Sequence, residues 1–353
     1  MTIHFFNPDH DIALAMNLSR FSTPHVGRQM RSDLGYIPAL WAEDGDIVIV
    51  EDIDAADLLY RRHNIAKAKV EFLTLEQLKN YDFSDYSIAP WGWNRSIRTM
   101  FLDARTAKGS LPSEDSIDAI RQLSNRSLAV ELLKHLTATE GTIGTSHICT
   151  SQGEIDTLLV QYKDIVVKAP WSSSGRGVRY IHIDDAPNEN TQKWIDNTIM
   201  RQGTIIVEKK CHKILDFAME YCALPDGEVR YEGLSLFTTK NGAYTGNILL
   251  PEDEKEEYLH RYLSPTLLDE VKKQIETFLT KEINGTYTGP LGVDMMICSP
   301  WEEGTSDVVL NPCIEINMRR TMGHVALALS RKGQRGTMSI DYDGKNYRFH
   351  IRK

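Results

Sequence analysis

The run IEINMRR, residues 314–320, spaces Glu315, Asn317 and Arg319 two residues apart. On a strand, alternation sends Ile314, Ile316 and Met318 to one face and those three polar side chains to the other. A carboxylate and a carboxamide on one face are hard oxygen ligands, suited to Mg²⁺ held together with nucleotide phosphates. An arginine just beyond them suits charge on a transferred phosphoryl group. In GVDMMIC, residues 292–298, Val293, Met295 and Ile297 form one face and leave Asp294 on the other. If the two strands pair antiparallel, Asp294 shares a face with Glu315 when paired positions sum to an odd number, as with 294 opposite 315. Either strand taken alone reads as carrying ordinary half-exposed polar positions, so the pairing decides. The connection SPWEEGTSDVVL, 299–310, is long for a hairpin.

A second group lies upstream. In IVVKAPWSSSGRGVRYI, residues 165–181, Lys168 ends an apolar strand and is followed by a Ser/Gly loop and another strand. A Walker loop places its lysine after the glycines and leads into a helix, which this segment does not. An ammonium fixed on a strand, with loop amides and hydroxyls covering phosphates, is one use of the pattern; a lysine snorkelling its head into solvent is the other. The run GTIIVEKKCHKILDFAMEY, 203–221, passes from Glu208 through a polar segment to Asp216. A chain crossing between two lobes here exposes backbone groups to a nucleobase edge and an acid to ribose hydroxyls; a surface β-connection is the alternative. HExxH, GxSxG and GK[ST] are absent, and Gly175-Arg176-Gly177 lacks the third glycine of a dinucleotide fingerprint.

Positioning these groups needs an α/β scaffold. From 1 to 105, TIHFF, DIVIVEDI, KVEFL and YSIAPW alternate with helical patterns, which predicts a parallel, helix-covered sheet. DARTAKGSLPS, 103–113, reads as a linker, and Ser113 as the cap of a helix EDSIDAIRQL. From 124 to 210, strands SHICT, DIVVKA, VRYIHI and GTIIVEKK with intervening helices predict a small antiparallel sheet. The last block holds a helix SPTLLDEVKKQIETFLTKEI and a tail hairpin turning on Asp343-Gly344. The acidic PEDEKEEY, 251–258, reads as a solvated loop or helix end without a role.

The 353 residues and formal charge of −9 predict two or three domains and argue against a nucleic-acid footprint. Five scattered cysteines without CxxC fit inert thiols in a reducing compartment, and no apolar run reaches the roughly 20 residues of a bilayer span. A cytoplasmic protein without a membrane partner is expected.

Taken in order, SNRSLAVELLKHL, VVKAPWSSSGRGV, TIIVEKK, LGVDMM and CIEINMRRTMG resemble the motifs of the ATP-grasp superfamily, whose two α+β lobes clamp ATP, over residues 124–330. The resemblance implies a Rossmann-like parallel-sheet domain over 1–112, a first lobe over 113–210 and a second lobe with the C-terminal hairpin over 211–353. It implies ATP as cofactor, with Mg²⁺ (or Mn²⁺) on Asp294, Glu315 and Asn317. Lys168 then meets the α/β-phosphates. Ser172, Ser173, Ser174, Gly175 and Gly177 cover the β/γ-phosphates. Glu208, Lys209 and the backbone through Cys211 meet adenine, Asp216 meets ribose, and Arg319 faces the transferred phosphoryl group. Arg126 stands where a family lysine is usual, and Asp216 where a glutamate is usual.

The activity implied is ADP-forming ligation of a small-molecule or peptide carboxylate to an amine acceptor through an acyl phosphate. A phosphotransferase acting on a hydroxyl, or a nucleotide-binding module without turnover, stays open, as does oligomeric state. Near the N-terminus, Arg95 and Arg98 read either as holders of a substrate carboxylate or as a solvated helix start, and Trp91 and Trp93 as packing residues.

Overall fold

The computed structural model describes residues 1–80, 85–104, 111–172, 177–185, 188–240, 243–301 and 308–353. A four-stranded parallel sheet opens the chain, in the order β3 (Glu71–Leu73), β2 (Ile47–Ile49), β1 (Thr2–Phe5), β4 (Ser87–Pro90). β2 is Ile-Val-Ile and buried throughout, as a parallel strand covered on both faces must be. Around it lie α1 (His10–Met16), α2 (His25–Leu34), α3 (Ile53–Arg62), α4 (Leu75–Leu78) and α5 (Arg95–Asp103). Capping fixes several starts: Asp52 accepts from Ala55, and Thr74 with Gln77 forms a capping box. Residues 105–110 of the expected linker lie outside the described residues. Beyond them, Ser113 caps α6 (Glu114–Leu123) as the sequence predicts.

Next come α7 (Arg126–Leu136), β5 (Ser146–Cys149), α8 (Gln152–Tyr162), β6 (Asp164–Lys168), β7 (Val178–His182), α9 (Glu189–Gln202) and β8 (Ile205–Lys209). The strands form an antiparallel sheet in the order β5-β8-β6-β7, with Ile155, Ile165, Val167, Ile195 and Val207 in its core.

The largest sheet has seven strands. Its members are β9 (His212–Ala223), β10 (Val229–Lys240), β11 (Ala243–Leu249), β12 (Gly289–Ser299), β13 (Val309–Asn317), β14 (Gly336–Tyr342) and β15 (Tyr347–Arg352), ordered β13-β12-β9-β10-β11-β14-β15. The helices of this part are α10 (Glu252–Leu259), α11 (Pro265–Ile283) and α12 (Met322–Arg331). On one face, Phe217, Met219 and Tyr221 of β9 and Val293, Met295 and Ile297 of β12 pack with Val271, Ile275 and Leu279 of α11. The opposite side of the same strands carries the polar residues discussed below. The β14–β15 hairpin turns on Asp343-Gly344, whose positive φ of 92° glycine tolerates, while the Asp343 side chain accepts from the amides of Lys345 and Asn346. Phe349 and Met338 of this hairpin pack with Phe6, Leu34 and Trp91, joining the far edge of the large sheet to the N-terminal domain. Among the described residues, no helix is long and apolar enough to cross a membrane.

Two expectations need correction. The acidic stretch at 251–258 is not merely solvated. It is α10, and Lys255 is 1% exposed, donating to the Leu234 carbonyl at 2.7 Å and to Glu252. Glu252 in turn accepts from the Tyr231 hydroxyl and the Leu234 amide, so the segment clamps β10 where its pairing shifts at Gly233. Arg95 and Arg98 do lie at a helix start, the partly exposed first turn of α5, but neither is free for a substrate: Arg95 Nη2 donates to both oxygens of Asp118 at 2.6 and 2.7 Å, and Arg98 holds the Pro112 carbonyl and Glu114, tying α5 to α6. Trp91 is buried, as expected of a packing residue.

Candidate functional site

β12 and β13 pair antiparallel with Asp294 directly opposite Glu315 and Gly292 opposite Asn317, the register on which a shared face depends. The pairing then shifts, Met296 lying opposite Asn311, and the residues slipped past include Pro312, which cannot donate to a ladder. The bulge absorbs part of the long connection; residues 302–307 lie outside the described residues. Asn317 Nδ2 donates to Asp294 Oδ2 at 3.2 Å. Burial, and then the facing Glu315 carboxylate, push the Asp294 carboxyl up to about 7. Among the described residues no group of three His, Cys, Asp or Glu converges on a metal position.

Arg126, at the start of α7 and 6% exposed, bridges this pair to the serine loop. Its Nη2 donates to Glu315 Oε1 at 2.7 Å, while Nη1 donates to Ser172 Oγ at 2.8 Å and to the Ala169 carbonyl. The planar fork allows three bonds in two directions, which an ammonium on a lysine would not fix in the same way. Gly177 closes the loop against its own start. A Cβ there would lie 2.1 Å from Ser172, and the Gly177 carbonyl accepts from Ala169. Ser173, Ser174 and Gly175 lie outside the described residues.

Lys168 ends β6 buried, 6% exposed, and does not snorkel into solvent. Its ammonium pairs with Glu208 Oε2 at 2.7 Å and donates to the Ile314 carbonyl at 3.2 Å. The Glu208 carboxylate, expected at an adenine edge, is thus engaged by lysine. Past it, Lys209 stacks its ammonium 4.0 Å over Trp301, and the Cys211 thiol accepts from Asn311 and contacts the Cys298 thiol, which holds Cys211 below the usual thiol range. Asp216 is held by Lys213 Nζ at 2.6 Å and Thr239 Oγ1 at 2.7 Å.

Arg319 is bound from the N-terminal domain. Its Nε and Nη2 donate to the two oxygens of Asp11, at 2.9 and 2.8 Å. Burial opposes both charges, and the pairing overrides it: the Asp11 carboxyl is held below its usual range and the Arg319 guanidinium above its own. No local sequence signal couples two residues so far apart.

Sequence reasoning also missed Glu220, Thr321 and His324. Glu220 is 1% exposed on β9, opposite Gly292, and receives the Thr321 hydroxyl at 2.8 Å. His324 Nε2 donates to the Tyr221 carbonyl, which leaves Nδ1 an acceptor, and Nδ1 lies 3.1 Å from Glu220 Oε2. Nδ1 takes the Thr321 amide at 3.2 Å, and Glu220 Oε2 has no hydrogen-bond partner among the described residues. Burial, with Asp294 adding to it, raises this carboxyl to about 8. Burial holds His324 well below the usual imidazole range. Thr321 caps α12 in a capping box whose N3 residue is His324, where the usual sequence signature has Glu or Gln, so the pattern carried no signal for this cluster.

A cavity of about 950 Å³ joins these groups, bordered by Lys168, Glu208, Cys211, Asp216, Asp294 and Glu315 and continuing past Glu220 under the N-terminal domain.

No protein-family model matches the chain, and no curated protein matches it. Its fold is similar to that of a biotin carboxylase from Campylobacter jejuni solved as a β-γ-ATP complex, at 13% identity and TM-score 0.51, covering 94% of this chain and 70% of that one. A pyruvate carboxylase from Rhizobium etli matches at 16% identity and TM-score 0.51, over 93% of this chain and 27% of the longer enzyme. An N5-carboxyaminoimidazole synthetase from Staphylococcus aureus, complexed with ADP, matches at 14% identity and TM-score 0.48, over 96% of this chain and 82% of that one.

Proposed function

We propose that this chain, whose fold is that of the ATP-grasp superfamily, is an ATP- and Mg²⁺-dependent ligase that joins a carboxylate to an amine with release of ADP. The observation that carries the reading is the pairing of Asp294 with Glu315 on the cavity face, bridged by Arg126 to the serine loop. Two half-buried acids directly opposite one another make ionisation of Asp294 costly, and a divalent cation between them relieves it. Asp294, Glu315 and Asn317 would hold Mg²⁺, which supplies neutralising charge for the phosphates there.

In this reading residues 1–112 form the preceding domain, and 113–210 and 211–353 the two lobes. Lys168 binds the α/β-phosphates, exchanging part of its bond to Glu208 for a phosphate oxygen. Ser172 and Gly177 border the loop that covers the outer phosphates and excludes water. Lys209 and the backbone through Cys211 border the adenine, and Asp216 the ribose. Arg319, oriented by Asp11, stabilises charge as the carboxylate takes the phosphoryl group, and the amine then displaces phosphate from that acyl phosphate.

The test is acid-dependent turnover. With Mg-ATP and a broad acid panel, ADP release should require a carboxylate, and hydroxylamine should trap an acyl hydroxamate. ADP formation indifferent to every acid, with no hydroxamate, excludes the ligase reading.

A further inference from the structure

The cavity extends well beyond the groups assigned to nucleotide. Along β10, β11, β14 and β15 its floor is Ser235, Phe237, Tyr244, Asn247, Ile340 and Tyr347. Its roof comes from the N-terminal domain, with Phe6, Pro8, Met30 and Trp91. β15 stands four strand spacings from β9, about 19 Å, so this chamber is the far part of one continuous cavity, and its floor begins at Tyr244, paired with the Thr239 that holds Asp216.

The polar groups of the floor satisfy one another. The Tyr244 hydroxyl donates to Asn247 Oδ1 at 2.5 Å, and Asn247 Nδ2 donates to Ser235 Oγ at 2.8 Å. Glu220 Oε1 takes the Thr321 hydroxyl, while Oε2 has no hydrogen-bond partner among the described residues and belongs to a carboxyl that burial raises to about 8. The two arginines that border the cavity are already paired, Arg319 with Asp11 and Arg126 with Glu315. The bordering lysines belong to β6 or to the β8–β9 crossing, at the other end. The other cavity-lining carboxyl with an unpartnered oxygen among the described residues is Asp9, 7% exposed at the chamber wall. One of its oxygens takes the Thr23 hydroxyl at 2.7 Å, and among the described residues Oδ1 has no hydrogen-bond partner.

We infer that this chamber receives the acceptor amine, as an ammonium on an apolar, aromatic-sized body that carries no phosphate. A buried carboxylate oxygen without a partner is costly, and an ammonium against Asp9 supplies the missing donor. The aromatic lining residues Phe237, Tyr244, Tyr347 and Trp91 suit an apolar, aromatic-sized body. A phosphate there would meet carboxylates and no unpaired cation among the described lining residues. The inference rests on the ligase reading and narrows its acceptor.

The test uses the full chain with Mg²⁺ and a non-hydrolysable ATP analogue, probed with 2-phenylethylamine, its N-acetyl derivative, O-phosphoethanolamine and 3-phenylpropionate. Thermal shift should respond to the nucleotide and then further to 2-phenylethylamine, but not to the acetylated or phosphorylated probes. Asp9→Asn should weaken 2-phenylethylamine binding by at least about tenfold, and Met30→Trp, which fills the roof, should abolish it, both leaving the nucleotide shift unchanged. A nucleotide shift without an amine shift, equal response to the amine and phosphorylated probes, or amine binding indifferent to both substitutions overturns the chamber assignment alone. Absence of any nucleotide shift overturns the ligase reading and the assignment with it.

Discussion

Asp11 grips Arg319 across 308 residues of sequence, with both carboxylate oxygens on one guanidinium. The arginine expected at the transferred phosphoryl group is therefore aimed by the N-terminal domain, and not by the strand end that carries it.

Asp11→Asn should separate these roles. The Asp11 side chain is a quarter exposed, so we expect about 3 kcal/mol of lost stability, the low end for removing one partner of a buried pair. Because the folded carboxyl is held below its unfolded value, the pair's contribution is fully present above about pH 4 and is lost as pH falls through the folded value. Urea midpoints at pH 7 and pH 3 should thus converge between wild type and variant; a gap that stays constant across pH would show that the pair does not act as an ion pair.

Lys168→Met should remove Mg-ATP binding while the far-ultraviolet circular dichroism stays native. It also strands Glu208, so the single variant loses stability, and Lys168→Met with Glu208→Gln should regain stability without regaining nucleotide. Recovery of binding in the double variant would move the phosphate contact elsewhere.

Glu220 gives the opposite pH dependence. Its folded value near 8 lies above the unfolded value near 4.3, so the native state keeps a proton the unfolded chain has released. Stability should fall as pH rises from about 4 to 8, by at most roughly 1.4 kcal/mol per unit from this group. Glu220→Gln should flatten that limb in denaturation series at pH 5, 6, 7 and 8, and an unchanged slope would refute the assignment of the proton to Glu220.

Two helical glycines should respond with opposite signs. A Cβ on Gly323 would lie 1.8 Å from Glu220 Oε1 and 2.5 Å from Ser235 Oγ, whereas nothing lies within 4 Å of one on Gly153. Gly323→Ala should cost about 1–3 kcal/mol by overpacking, and Gly153→Ala should gain up to about 1 kcal/mol from helix propensity. Thermal melts of both variants check the pair, and a stabilised Gly323→Ala would mean that Glu220 has room to move.

The legible parts were those with local signals. Period-two alternation placed Asp294 and Glu315, parity stated which registers would bring them to one face, and Ser113 announced its helix. The unread parts depend on contacts between distant segments. Asp11 sits on a short helix with nothing nearby to name Arg319 as partner. Lys255 was hidden because charge runs usually face water, and only the fold supplies the Leu234 carbonyl that buries it. Lys168 was recognised by the loop behind it, but its partner Glu208 stands two strands' worth of sequence away and was assigned to a ligand instead.

The strand order of the large sheet has a consequence for synthesis. By residue 323 a nascent chain carries every segment that resembles an ATP-grasp motif, yet β14 and β15, which extend the sheet beyond β11 and reach the N-terminal residues, are still to be made. Until the ribosome has released them, β11 presents an open edge and Trp91 and Leu34 lack part of their packing. The wall that Ile340 and Tyr347 add to the proposed acceptor chamber is therefore the last part of the cavity to come into existence, and a chain stopped before residue 336 lacks it.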